Sequence, residues 1–523
     1  MITEDQAEVV AFLESPVAHG GLPVERIDTH ASIVFLAGER AWKLKRAVRY
    51  DYLDFSTPER RRAMCEAELR INRRTAPELY RRVVPVTREA TGGLALGGGG
   101  TAIDWVIEMV RFDQEALLDR LAERNALDAA MVPLLASAVA RFHRGAERRR
   151  DHGGRNGMSW VVEGNALGFS EQGRGVLDAA ECEDLTRRSR AEVDRYGAIL
   201  DHRRDAGFVR QCHGDLHLRN LVLIQGTPTI FDAIEFNDEI ACIDVFYDLA
   251  FLLMDLCHRG LTAHANRLLN GYLSETQDFD GLGLLPLFLS CRAAINAKTR
   301  VTAAALQPDA VRSREASVAA QEYLRMAAAF LRQDSPRLIA IGGFSGSGKS
   351  TLAINLAPLI GTIPGAVVIR SDEIRKQLFR VDPLVKLGAP AYTPDVSRKV
   401  YDIAAARAAL AIRGGRSVIV DAVFADSGHR RAIEKVATAA GVPFAGLWLD
   451  APTQTLIRRA ERRRADASDA DALVIDAQIS HRADPIEWRR VDASESADRV
   501  LVTVYETLVA IAAGVLASSG DQR

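Results

Sequence analysis

His213-Gly214-Asp215-Leu216-His217-Leu218-Arg219-Asn220, followed downstream by Phe231-Asp232, fits the pattern H-x-D-x-x-x-x-N with a trailing aspartate. Phosphoryl transfer needs a group that takes the proton of an attacking hydroxyl, and divalent ions on the nucleotide phosphates. At this spacing Asp215 supplies the base and Asn220 holds one magnesium ion. Asp232 ends the short strand Thr229-Ile230-Phe231 and holds the metals that bridge the phosphates. A surface turn with an Asx cap is the competing account of the same residues.

Upstream, Ser32 to Leu36, the turn Ala37-Gly38-Glu39-Arg40 and Ala41 to Val48 read as a β-hairpin. Such a site also needs a strand lysine and a helix carboxylate to orient it. Ala41-Trp42-Lys43 carries the lysine, with Lys45 on the same face as competitor. Pro58 to Arg74 reads as a helix begun by proline, with Glu68 as the partner carboxylate and Glu66 next in line. Val83 to Thr87 and Ile103 to Val110 read as strands, and Glu108-Met109-Val110 as either an adenine-reading hinge or strand core. No G-x-G-x-x-G loop precedes Lys43, so Asp28 to Phe35 must cover the phosphates by other means. From Gln114 to about Leu331 the pattern is mostly helical.

A second signature of different design follows. Gly343-Phe344-Ser345-Gly346-Ser347-Gly348-Lys349-Ser350-Thr351 fits G-x-x-x-x-G-K-S between the apolar strand Leu338 to Gly343 and a helix. Its backbone N–H groups cradle a β-phosphate at the helix N-terminus; Lys349 bridges the β- and γ-phosphates and Ser350 ligates magnesium. Ala366 to Ile369, Ser417 to Val420 and Phe444 to Leu449 are continuous apolar strands separated by helical stretches, the pattern of a buried parallel sheet. Asp421 ends one of them and orders a magnesium water. Asp372 and Arg375, just after Ile369-Arg370-Ser371, are candidates for the acceptor site; a helix N-cap at Asp372 is the alternative. Among Arg458, Arg459, Arg462, Arg463 and Arg464, we expect Arg459 and Arg464 to act as lid arginines on the transferred phosphoryl, against a solvated basic face.

The stretches Phe231 to Asp238, Asp244 to Phe251, Thr29-His30 to Lys45, Leu53 to Thr57 and Leu69 to Pro85 resemble the aminoglycoside phosphotransferase superfamily. They most resemble the branch called bifunctional aminoglycoside phosphotransferase/ATP-binding proteins. The resemblance implies a two-lobed kinase fold that uses ATP and Mg2+ on a small hydroxylated acceptor. The second half is similar to gluconate kinase, polynucleotide kinase and chloramphenicol phosphotransferase, which implies an acceptor-base role for Asp372.

The fold class expected is an α+β two-lobed protein-kinase-like domain, then an α/β P-loop NTPase domain with a parallel sheet. The boundary falls at Gln333-Asp334-Ser335-Pro336, giving domains 1–334 (lobes about 1–110 and 111–334) and 335–523. The 523 residues are too many for one core. A formal net charge of -2 gives no case for bulk nucleic-acid or membrane affinity. The six cysteines show no paired spacing, and the acidic start lacks a signal-peptide pattern, which predicts a cytoplasmic protein. Carboxylates at Glu235, Asp238, Glu239 and Asp244 could favour a cationic acceptor, but capping by Asp244 and Asp248 is the preferred account. Two kinase sites are the leading reading. One active kinase with a nucleotide-sensing P-loop half, or a toxin-like or nucleic-acid-end kinase in that half, are the alternatives.

Overall fold

The hairpin about Gly38 forms in the computed structural model: Ser32–Ala37 pairs antiparallel with Arg40–Lys45, and Val24–Asp28 adds outside it. The structure describes residues 2–307, 309–332, 334–462, 475, 478, 480, 483–512 and 514. The strands Thr101–Val110, Tyr80–Arg88 and Leu94–Leu96 complete a six-stranded antiparallel sheet. Helix Pro58–Asn72 packs on its two central late strands. Thr57 starts that helix, its hydroxyl accepting the Arg60 N–H with proline in the first turn, as the sequence pattern requires. The helix buries Cys65, Glu68 and Ile71; a fully buried glutamate on a packing face needs a local reason.

After the sheet the chain becomes helical, with Val132–Gly145, Gly154–Gln172, Ala179–Ala206 and Val245–His258 as its main elements. The hairpin Leu221–Ile224 with Thr227–Ile230 interrupts them. Its register sets Leu221 opposite Ile230, so Asn220 and Phe231-Asp232 are brought together at its open end. The Phe231 N–H donates to the Asn220 carbonyl at 3.1 Å. This is the α+β two-lobed protein-kinase-like architecture. It makes up the first of two compact units, Met1–Asp255 with Cys291–Leu324.

The second unit comprises Leu256–Ser290 and Arg325–Arg523. Its sheet is wholly parallel, in the order Val367–Arg370, Val418–Asp421, Leu338–Gly342, Phe444–Asp450, Arg489–Asp492. This is an α/β P-loop NTPase fold. Its apolar strands were legible from sequence; the fifth, Arg489-Arg490-Val491-Asp492, was missed because a charged edge strand lacks their apolar run. Ile339, Ile341, Ile419, Leu447 and Leu449 form the core with Leu352 and Leu356 of the helix after the glycine loop. Val500, Val504 and Leu508 of helix Ala497–Ala512 close the same core. No described helix is long and apolar enough to cross a membrane.

Candidate active sites

In the first unit, side chains two apart in a strand share a face, so Lys43 and Lys45 both point at the helix Pro58–Asn72. Sequence left them as competitors. In the structure each takes one oxygen of the same carboxylate: Lys43 Nζ lies 2.8 Å from Glu68 Oε1 and Lys45 Nζ 2.6 Å from Oε2. Lys43 continues to Asp232 Oδ1 at 2.5 Å, while Lys45 continues to Glu235. Both lysines line the cleft, and Lys43 is the more open, its side chain 13% exposed against 1% for Lys45. Glu66, the runner-up, sits on the surface with Arg62.

Burial opposes the charge of Lys43, but Asp232 and Glu68 hold its pKa well above the ordinary lysine value. Burial likewise opposes the charge on Glu68, and the two lysines bring its pKa down. Removing an ion from water costs several kcal/mol, so a buried cluster of this kind is poorly explained as a stabilising device. A functional demand for a fixed ammonium facing the cleft explains it better.

The loop 213–220 is held from behind. Asp248 accepts the backbone N–H groups of His213 (3.1 Å) and Gly214 (2.9 Å) and lies 3.0 Å from His143 Nε2. Asp255 accepts the Leu218 N–H at 3.0 Å, and Arg292 donates to the Gly214 carbonyl at 3.1 Å. Asp215 thus projects into the cleft with 40% of its side chain exposed, 3.2 Å from His217 Nε2 and 3.1 Å from Asn220 Nδ2. Partial burial would raise the Asp215 pKa, yet His217 holds it well below the usual carboxylate range.

Asp232 has a left-handed backbone, φ 62°, a conformation that aspartate tolerates better than most residues. Its N–H donates to the Tyr80 hydroxyl at 3.2 Å, and the next N–H, of Ala233, to Asn72 Oδ1 at 2.8 Å. Sequence reasoning missed Tyr80, Asn72 and Arg292, which no local pattern marks.

A cleft of about 2600 Å3 contains Lys43, Asp215, Asn220 and Asp232. Ile27, Val34, Ala41, Met109 and Phe231 give it an apolar wall suited to a flat base. Where a glycine loop was wanting, the tip Thr29-His30-Ala31 of the first hairpin lines the cleft. Its turn is fixed by Thr29 Oγ1, which accepts the Ser32 N–H at 2.9 Å. His30 is near enough for the charges of Asp215 and Asp232 to act on it, although burial dominates and lowers its pKa. The acid-rich segment is paired with cations from elsewhere in the unit: Glu235 with Lys45, Asp238 with Arg149, Asp244 with Arg203. Asp248 indeed caps the loop, and Asp244 accepts the Phe246 N–H.

In the second unit the strand Leu338–Gly342 runs into the loop 343–348 and the helix Lys349–Leu356. Gly346 has φ +83°, and a Cβ there would stand 2.3 Å from the Leu456 carbonyl oxygen. Gly343, at φ +138°, would meet the Leu449 carbonyl oxygen at 2.6 Å. Both positions therefore demand glycine. Lys349 is buried and donates to the Phe344 carbonyl at 3.1 Å. Ser350 Oγ donates to Asp421 Oδ2 at 2.6 Å, joining the two candidate metal residues. Ser347 Oγ is buried without a partner among the described residues, and the Ser345 N–H is taken by Gln478 Oε1 at 3.0 Å. Thr351 is exposed on the first helical turn.

Arg370, not Asp372, stands at the N-cap of helix Ser371–Leu378, and makes no side-chain cap. Asp372 is half-buried in the first turn, near Arg375 and Tyr401. Arg375 donates to the Ala391 carbonyl at 2.6 Å and lies over the Tyr392 ring. Arg459 donates to the Ala493 carbonyl at 2.7 Å and to those of Ser494 and Glu495. Arg464 lies outside the described residues. Arg370, unmarked by any motif, lies 3.5 Å from Asp421, the residue beside it in the neighbouring strand.

Residues 37–285 match the Phosphotransferase enzyme family and residues 338–485 the AAA domain. An uncharacterized protein of Mycobacterium tuberculosis is 29% identical over 490 residues, spanning 91% of this chain and 94% of that protein. One from Mycobacterium bovis is similar to the same extent. Among solved structures, a choline/ethanolamine kinase family protein from Mesorhizobium loti covers 62% of this chain and 98% of its own, at 14% identity and TM-score 0.39. A gluconokinase from Sinorhizobium meliloti covers 35% of this chain and 97% of its own, at 19% identity and TM-score 0.27.

Proposed function

We propose that this protein, a phosphotransferase acting on hydroxyl groups that joins a phosphotransferase-family domain to an AAA-type P-loop kinase domain, works at two sites. The first site lies within residues 1–334 and the second within 335–523. Each transfers the γ-phosphoryl of ATP to a hydroxyl of a small metabolite or sugar-like acceptor. The observation that carries this reading is that Lys43 and Asp215 line one cleft in the first unit, while in the second Lys349 heads the helix after the glycine loop, where Ser350 donates to Asp421. The donor sets fit Mg2+, because Asn220 with Asp232, and Ser350 with Asp421, offer only oxygen. That ion, when bound, neutralises charge on the phosphates.

At the first site Lys43, aligned by Glu68, orients the phosphates, and Asp215 Oδ accepts the proton of the acceptor hydroxyl. Tyr80 and Asn72 keep Asp232 aimed at the same point through its backbone. At the second site the loop N–H groups and Lys349 take the phosphates, and Asp372 accepts the proton.

The test is mass spectrometry of a metabolite mixture turned over by the intact protein and by Asp215→Asn and Asp372→Asn. Two sites predict that each variant loses a different phosphorylated product. If Asp372→Asn loses nothing while Lys349→Ala changes the rate of the first site, the P-loop half is a nucleotide sensor.

His30 takes the place of a glycine loop over the phosphates. We therefore expect His30→Ala to raise the KM for ATP at the first site by roughly tenfold, the value of one hydrogen bond to a charged group. Initial rates at varied ATP check it; an unchanged KM would remove His30 from the phosphate site.

A further inference from the structure

In the second unit the edge strand Val367–Arg370 has a strand neighbour on one side only. Its other side is met by the helix Thr262–Thr276. Asn270 Oδ1 accepts the Val368 N–H at 2.7 Å, and its Nδ2 donates to the Ala366 carbonyl at 3.2 Å. Asn266 Nδ2, itself buried, donates to the same carbonyl at 3.0 Å. A side-chain amide carries the acceptor and donors of a peptide group, so Asn270 does for this strand what an adjoining strand would do.

Positions four apart share one helix face, which puts Ser274 in line with Asn266 and Asn270. Ser274 Oγ donates to Glu373 Oε2 at 2.8 Å, and Gln377 Nε2 donates to the Ser274 carbonyl at 2.9 Å. Glu373 in turn accepts Arg370 at 3.1 Å through Oε1, and Arg370 Nε lies 3.5 Å from Asp421 Oδ2. That same oxygen accepts the Ser350 hydroxyl. Ser274, Glu373, Arg370, Asp421 and Ser350 thus form a file of hydrogen bonds, joined between Arg370 and Asp421 by an ion pair, that ends on the first turn of the helix after the glycine loop.

We propose that Ser274, Glu373 and Arg370 are positioning residues for the P-loop site. Ser274 fixes Glu373, Glu373 fixes the Arg370 guanidinium, and Arg370 holds Asp421 where Ser350 and a divalent ion need it. The helix Thr262–Thr276 is then a working part of the P-loop kinase, although it lies inside the 37–285 stretch matched to the phosphotransferase family. A packing role alone accounts for Asn266 and Asn270, but not for an arginine and two carboxylates drawn into line toward the loop. This inference rests on the reading of the P-loop as a nucleotide site.

The test uses the full chain carrying Lys43→Ala and Asp215→Asn, which silences the first site, with ATP as titrant in the presence and absence of Mg2+. Glu373→Gln is expected to weaken MgATP binding about tenfold and leave metal-free ATP binding within about twofold, the loss of one charged hydrogen bond in the file. Ser274→Ala should shift MgATP binding in the same direction by about threefold, and Ser274→Thr, which keeps the hydroxyl, should restore it. Loss of a merely structural contact would lower both affinities and the melting temperature together, and that result, or no change in either affinity, overturns the relay. If the silenced chain binds no ATP that Lys349→Ala abolishes, the P-loop reading itself is wrong and the relay falls with it.

Discussion

Asp215→Asn is expected to lower kcat at the first site about 10²–10⁴-fold, the usual contribution of a positioned general base. The substitution keeps the shape of the side chain and removes its charge, and with that both the ability to take a proton and the ion pair with His217. The loop itself should survive, because its backbone is held by Asp248, Asp255 and Arg292 rather than by Asp215. We therefore expect the KM for ATP to change by less than about threefold, since the proposed site assigns the phosphates to Lys43 and the hairpin tip and not to Asp215. The measurement is steady-state kinetics in a Lys349→Ala chain, so that the second site is silent. A fall in kcat of less than about tenfold would mean that Asp215 is not the base.

The second large effect belongs to Lys349. Its side chain is buried at the head of helix Lys349–Leu356, and its ammonium donates to the Phe344 carbonyl. A preorganised cation facing developing charge, in a place shielded from water, is worth about 10²–10³-fold in rate. Lys349→Ala should lower turnover at the second site by that factor. It should also reduce the nucleotide bound per chain from two equivalents to one in a calorimetric titration. If two equivalents still bind with unchanged affinity, Lys349 is not a phosphate ligand.

Much of this was legible in the sequence, for physical reasons that differ by element. The glycine loop is readable because Gly343 and Gly346 have no substitute where backbone carbonyls crowd the missing Cβ. The loop 213–220 is readable because the proposed roles of Asp215 and Asn220 need both residues to flank one turn. The strand pattern Ala41-Trp42-Lys43 favours Lys43 over Lys45, which shares its face; the fold adds that both line the cleft and that Lys43 is the more open. Tyr80, Asn72 and Arg292 act through long-range hydrogen bonds to backbone, and such bonds leave no periodic trace. The edge strand Arg489–Asp492 was hidden by its own charges. The helix Thr262–Thr276 read only as one more helix, because what it recognises, the backbone of Val367–Arg370, lies about a hundred residues away in the chain.

That recognition has a further consequence for how the protein behaves in solution. An uncovered parallel edge invites strand addition from another molecule, the usual first step of sheet-mediated aggregation. With Asn266 and Asn270 seated on Ala366 and Val368, no such template is offered there. A chain begun at residue 335 would be born with that template bare, and its insolubility would be a matter of hydrogen bonds left open rather than of a damaged core.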